Sequence, residues 1–326
     1  MCQYDASERL SREALDIARQ ICPPSETRRD IYSLASALFG KGDLDGAEPL
    51  YREAAEAARR EQGNQDLAAL VGLMNLATIQ QMKGDYYASE SLLHEVIPGL
   101  RALGPPARQY LANAMENLAE LRLGKQDIAS AESFVREALA IFRSHYGEEH
   151  PEVADALSRL ALLMKEKKQY DESEAYYRQA LSIQRGLLGE RHPMVFRTTH
   201  LLAEMLTEVG RYNEAEPLFR ECLAYIRAVA GDRHYNTALT LRDLATLLRR
   251  QGREAEAELL LIESARIWAV LPEDPALLAG TLTMLRECRI AQGKSDDVEA
   301  LIAIDQSGDD TASSEPVLTE GRGSDE

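Results

Sequence analysis

Residues 154–193 read ADALSRLALLMKEKKQYDESEAYYRQALSIQRGLLGERHP, and this stretch decides the fold. Leu157, Leu160, Ala161 and Met164 stand at i, i+3, i+4 and i+7, the spacing of one apolar helix face. Asp171 with Glu174 three residues on has the pattern of a capping box, which starts a second helix. Ser173, Tyr177 and Ala180 put small, aromatic and small residues on the inner face of that helix. Gly189 is placed to end it and Pro193 to open the next. The stretch predicts a helical hairpin.

The hairpin recurs every 42 residues. A Leu-Ala pair stands at Leu34-Ala35, Leu76-Ala77, Leu118-Ala119, Leu160-Ala161, Leu202-Ala203 and Leu244-Ala245. A small residue followed by glutamate recurs in the same register, at Ala47-Glu48, Ser89-Glu90, Ala131-Glu132, Ser173-Glu174, Ala215-Glu216 and Ala257-Glu258. A fixed period in this range marks a solenoid, in which no unit buries its apolar face alone.

These columns resemble the tetratricopeptide repeat (TPR): Leu and a small residue in helix A, then small, aromatic and small residues in helix B. Tyr51, Tyr177 and Phe219 hold the aromatic column, and Ala54, Ala138 and Ala180 the last small one. The usual TPR period is about 34 residues. A 42-residue period with a Leu-Gly-x-x-His-Pro connector (Leu188 to Pro193, with a variant from Tyr146 to Pro151) is similar to the longer repeats of kinesin light chains. The resemblance covers residues 7 to 304. It implies an all-α fold, a right-handed α-solenoid of TPR helical hairpins, and a protein-binding scaffold or adaptor.

Helix A is expected to start near Arg28, Leu67, Ala107, Val153, Val195 and Asn236, and helix B near Asp45, Tyr87, Asp127, Asp171, Asn213 and Glu254. Each helix should have about 15 to 17 residues, roughly 25 Å in length. Residues 1–24 read as a lone B-type helix, because SERLSREALDI at 7–17 matches AESFVREALAI at 131–141. It is read as a cap over the first hairpin, with a docking or dimerisation edge, or the remnant of a longer array, as the other readings. Residues 25–272 hold six hairpins. Residues 273–304 form a degenerate seventh, with Leu285-Arg286 in place of Leu-Ala. Residues 305–326 carry seven acids and one arginine and are expected to be disordered. In repeats 2 and 3, Gln80 and Arg122 replace an apolar residue, and Pro98-Gly99 is expected to kink or shorten its helix.

With 37 basic against 54 acidic residues the net charge is −17, which argues against a nucleic-acid partner. No apolar run is long enough to span a membrane, and the N-terminal stretch lacks a signal-peptide core. Four cysteines without metal-like spacing suit a reducing, cytoplasmic setting, and Cys222 falls in a core column. No cofactor or metal is expected. The glutamate column is no catalytic carboxylate pair: Glu48, Glu174, Glu216 and Glu299, each three after Asp45, Asp171, Asn213 or Asp296, are read as capping-box partners. His150, His192 and His234 cannot converge on one ion at a spacing of about 10 Å per layer and are read as connector residues. Gly293-Lys294-Ser295 lacks the upstream glycine of a phosphate loop. No catalytic constellation emerges, so the chain is not expected to be an enzyme.

What remains is the groove lined by the A helices. Counted from Leu-Ala, its outward positions are Asn75, Asn113, Asn117, Glu120, Arg159, Lys165, Arg197, His200, Glu204, Glu208, Arg242, Asp243, Arg249 and Arg250. The kinesin-light-chain resemblance implies that Asn75 and Asn117, each just before Leu-Ala, contact the backbone of a bound peptide. A side-chain amide offers the donor and acceptor that this needs. Arg159, Leu201 and Asp243 replace the asparagine in later repeats. Arg159, Lys165, Arg197, Arg242, Arg249 and Arg250, with His200 beside them, read as the floor for an acidic peptide or a C-terminal carboxylate. Pairing with Glu204, Glu208 and Asp243 is the competing reading. The acidic tail could compete for the same floor. The expected partner is a protein or peptide, and the chain a monomer or homodimer. Self-assembly through terminal helices, or service as a regulatory subunit, is the alternative.

Overall fold

The protein is described here from a computed structural model covering residues 9–17, 24–62, 66–271 and 275–302. Residues 9–17 are helical (α1). Then follow α2 (Pro24–Lys41), α3 (Leu44–Gln62), α4 (Leu67–Met82), α5 (Tyr86–Leu103), α6 (Arg108–Gly124), α7 (Ile128–Tyr146), α8 (Pro151–Glu166), α9 (Tyr170–Leu188) and α10 (Pro193–Glu208). The remainder is α11 (Tyr212–Ala230), α12 (Tyr235–Arg250), α13 (Glu254–Val270), α14 (Pro275–Ala291) and the short α15 (Glu299–Ile302). No strand occurs among the described residues. Contacts gather into two compact units, Met1–Arg211 and Tyr212–Glu326. The acidic tail lies outside the described residues, as do Cys2 and Cys22.

In the first unit α2 packs on α3, α4 on α5, α6 on α7 and α8 on α9, and each hairpin packs on the next. In the second unit α12 packs on α11 and α13, and α13 on α14. The repeat columns form the cores of both units. Leu34, Leu76, Leu118, Leu160, Leu202 and Leu244 are buried, as are the alanines after them. The small residue opening each B helix is fully buried, and so is Tyr177. Leu15 of α1 sits in a cluster with Ile31, Leu34, Tyr51 and Ala54, so α1 covers the first hairpin.

Each A helix ends in one recurring turn. The backbone N–H of residue 43, 85, 127, 169, 211 or 253 donates to the carbonyl five residues back at 2.8–3.0 Å. This closure requires a left-handed residue one place earlier. Glycine supplies it at 42, 84, 210 and 252, whereas Gln126 (φ 62°) and Lys168 (φ 60°) adopt it with a side chain.

The histidine column proves to be an N-cap series. The Nδ1 atoms of His150, His192 and His234 accept from the backbone N–H of Glu152, Met194 and Asn236 at 3.3, 3.2 and 3.1 Å. Pro151 and Pro193 follow as first helical residues.

The glutamate column does not form capping boxes. Asp45, Asp171 and Asn213 already lie inside their helices, so none can act as an N-cap. The carboxylates reach across to the next hairpin instead. Glu48 takes Lys83 (2.9 Å), Glu90 takes Arg122 (2.7 Å) and Lys125, and Glu132 takes Lys167 (3.0 Å). Glu174 takes Arg211, Glu216 takes Arg253 (2.8 Å), and Glu258 takes Arg289 (2.6 Å) and Lys294. Gln80, which weakens the apolar column, donates to Glu48 at 2.9 Å. Gln80 and Arg122 thus give up apolar contact to join this ladder.

Pro98-Gly99 does not shorten α5, which runs on to Leu103. Pro98 is on the exposed side, where water can satisfy the carbonyl that loses its partner. Gly99 faces Leu70 of α4, whose Cδ atoms would stand 2.9 Å from any added Cβ. The glycine therefore serves close packing of one helix on its neighbour.

Candidate functional site: a cleft along the A helices

Within the first unit the exposed faces of α4, α6, α8 and α10 line two adjoining clefts. One, of about 580 Å³, is bounded by Thr78, Met82, Tyr86, Asn117, Glu120 and Leu123. The other, of about 340 Å³, is bounded by Glu116, Glu120, Leu123, Ser158, Arg159, Leu162, Leu163, Arg197 and Leu201. Glu120 and Leu123 belong to both. These faces remain open because each A helix turns its Leu-Ala side into the hairpin core.

The two asparagines make contacts between successive A helices. Asn75 Nδ2 donates to the Tyr32 hydroxyl, and Asn117 Nδ2 donates to Thr78 Oγ1 at 3.0 Å. Both side chains are half-buried, and Asn117 lines the larger cleft. Their donors are thereby engaged inside the protein.

The smaller cleft concentrates charge. Asp155 sits between two guanidinium groups: Arg159 Nε donates to its Oδ2 at 3.0 Å, and Arg197 Nη2 donates to its Oδ1. Arg159 also stands 3.7 Å from Glu120 and 3.5 Å from Glu116 Oε1. Glu116 is 6% exposed, and its Oε1 accepts no hydrogen bond. Burial pushes its carboxyl up to about 8, with Arg159 pulling down and Asp155 and Glu152 pushing further up.

The other anticipated cations are also paired. Lys165 Nζ stands 3.8 Å from Glu208, which accepts from the Tyr170 hydroxyl at 2.9 Å. His200 is buried, with Nδ1 3.7 Å from Glu204. In the second unit Arg242 Nε lies 3.7 Å from Asp243, and Arg249 reaches Glu287 at 3.2 Å and Glu254 at 3.4 Å. Arg250 is exposed at the end of α12. The structure therefore brings Arg159 and Arg197 together on one carboxylate. Among the described residues, the cations anticipated in the first unit each stand within 4 Å of a carboxylate.

Glu116 is the residue that sequence reasoning missed. It lies in the column of Met74, Ser158 and His200, all buried, one place before the half-buried asparagine column. The same column holds the half-buried Tyr32 and Arg242, so nothing in the sequence singled Glu116 out.

The repeated hairpin with these columns defines a class, and comparison places the chain in it. The tetratricopeptide-repeat pattern matches residues 31–64 and, in overlapping stretches, 110–269. The chain belongs to the tetratricopeptide-repeat family. Among solved structures it is similar to BtubC (BKLC) from P. vanneervenii, at 22% identity and TM-score 0.61, over 71% of this chain and 93% of that one. It is also similar to a Podosopora anserina putative kinesin light chain with nearly identical TPR-like repeats, at 22% identity and TM-score 0.53, over 64% of this chain and 99% of that one. A Rap protein complexed with Competence and Sporulation Factor matches at 15% identity and TM-score 0.56, over 88% of this chain and 86% of that one. By sequence alone no curated protein matches. No described helix is long and apolar enough to cross a membrane.

Proposed function

We propose that the chain is a noncatalytic interaction scaffold that holds an extended polypeptide segment along the A-helix cleft of its first unit. The observation that carries this reading is the pair of adjoining clefts sharing Glu120 and Leu123. An extended strand advances about 3.3 Å per residue, so roughly three residues pass each helix layer of about 10 Å. Leu123, Leu162 and Leu201, one from each of three successive A helices, offer apolar contact among polar groups able to meet a backbone. A related fold has been crystallised with a bound factor, the Rap protein noted above. The arginines of the cleft are engaged with Asp155, so an acidic segment would have to displace that carboxylate. The reading therefore rests on backbone and apolar recognition rather than on a basic floor.

Selection from a library of random dodecapeptides, using the full chain as bait, tests this. Binders should emerge that lose affinity on Leu162→Arg or Leu201→Arg, with circular dichroism unchanged. A chain that enriches no peptide, or binders indifferent to both substitutions, would overturn the reading.

A further inference from the structure

The cleft reading leaves open which side chain the segment offers at its most enclosed point. We infer that the pocket between α6, α8 and α10 receives a cationic side chain, arginine or lysine, whose charged end meets Glu116 and Glu120. This rests on the cleft reading above and names the partner chemistry within it.

Three observations carry the inference. The first is the division of charge. Asp155 takes both guanidinium groups of the pocket, leaving Glu116 without a hydrogen bond and Glu120 with only a distant contact at 3.7 Å. Asp155, just outside the cavity lining, holds both arginines, so the acidic groups of the lining left to meet an occupant are Glu116 and Glu120. The second is depth. Glu116 is 6% exposed and lines a cavity of about 340 Å³, so an occupant of the cavity packs against it. The third is the wall. Leu123, Leu162 and Leu201 supply an aliphatic channel suited to the methylene stem of a long cationic side chain.

The other occupants fare worse. An apolar side chain would leave the buried Glu116 carboxyl oxygen still without a hydrogen bond, in a drier site, which costs free energy. An acidic side chain would meet Glu116 and Glu120 while both arginines are held by Asp155. A guanidinium or ammonium supplies the donors that Glu116 lacks.

The inference also fixes a proton count. Facing Glu116 are Glu120 from its own helix, Asp155, Arg159 and Glu152 from α8, and Arg197 from α10. Burial leaves the empty pocket with Glu116 protonated below about 8. A bound cation favours the carboxylate, so the proton leaves on binding. Affinity should rise as pH climbs from about 6 to 8 and level off above.

The experiment takes a dodecapeptide selected on the full chain. Its basic residue is replaced by norleucine or glutamate, and each form is titrated by calorimetry against wild type, Glu116→Gln and Glu120→Gln. We expect one basic position in the selected peptides, a loss of at least about tenfold on norleucine, and a greater loss on glutamate. Glu116→Gln should narrow the gap between the basic and norleucine forms and lose the pH dependence. Should that variant misfold, Glu120→Gln, at an exposed position, should still narrow the gap. Peptides that depend on Leu162 but show no basic preference, or that prefer acids, would overturn the pocket assignment and leave the cleft reading standing. Failure to select any peptide removes both.

Discussion

Arg159 Nε donates to Asp155 Oδ2 at 3.0 Å while standing 3.5 Å from Glu116 Oε1, so one guanidinium satisfies the shallower carboxylate and leaves the deeper one without a hydrogen bond. The pairing follows from the helix: Asp155 precedes Arg159 by one turn on α8, whereas Glu116 belongs to a neighbouring hairpin.

A pH dependence follows from Glu116. Its folded pKa is raised, to about 8, above the ordinary 4.5. Between those values the folded chain keeps a proton that the unfolded chain has released, so this group lowers stability as pH rises. Glu116→Gln should stabilise the protein by roughly 1–4 kcal/mol at about pH 8.5 and by little at about pH 5. Urea unfolding midpoints at the two pH values measure this, and an equal shift at both would sink the explanation.

The glutamate ladder has the opposite sign. Hydrogen bonds from Lys83 and Lys125 hold Glu48 and Glu90 below the usual carboxylate range. Burial alone would raise Glu132, Glu174 and Glu258, but their basic partners outweigh it and the net shift is downward. Depressed folded values give stability that is present above about 4.5 and lost as pH falls below it. Glu174→Gln should cost about 0.5–1 kcal/mol, with a coupling to Arg211→Gln that shrinks in molar salt. A double-mutant cycle at low and high salt reads it.

Lys168 holds a left-handed conformation that four other turns give to glycine. Lys168→Gly should raise stability by about 0.5–1 kcal/mol, the strain relieved less the added unfolded-state freedom. Gly210→Ala should cost a similar amount. Thermal melts of the two variants should move in opposite directions.

Leu160 is fully buried beside Leu157 and Met164, so Leu160→Ala should cost about 2–5 kcal/mol through loss of contact and a residual cavity. The solvent-facing Leu259→Ala, at 69% exposure, should cost under about 0.5 kcal/mol. Similar costs at the two leucines would contradict the assignment of the repeat columns to the core.

Much of the hairpin was legible in the columns. Leu-Ala pairs, small residues and Tyr177 are buried as the spacing implied, because a fixed period repeats one local geometry and burial follows it. Gly189 and Pro193 likewise mark the end of α9 and the start of α10. The recurring turn at residues 42, 84, 126, 168, 210 and 252 was less legible, since glutamine and lysine hide two of its members.

The chain by itself determined the register: helix faces, turns and caps depend on neighbours within a few residues, and those neighbours are written in order. Tertiary structure alone decided the partners of the charges. Glu174 looks like a cap from the residues beside it, yet its base, Arg211, comes from the next hairpin. Glu116 and Asn117 are adjacent polar residues in sequence, but stacking seals one carboxylate in a pocket and gives its neighbour a donor's place beside Thr78. Desolvation and pairing act across hairpins, so only the packed chain fixes them.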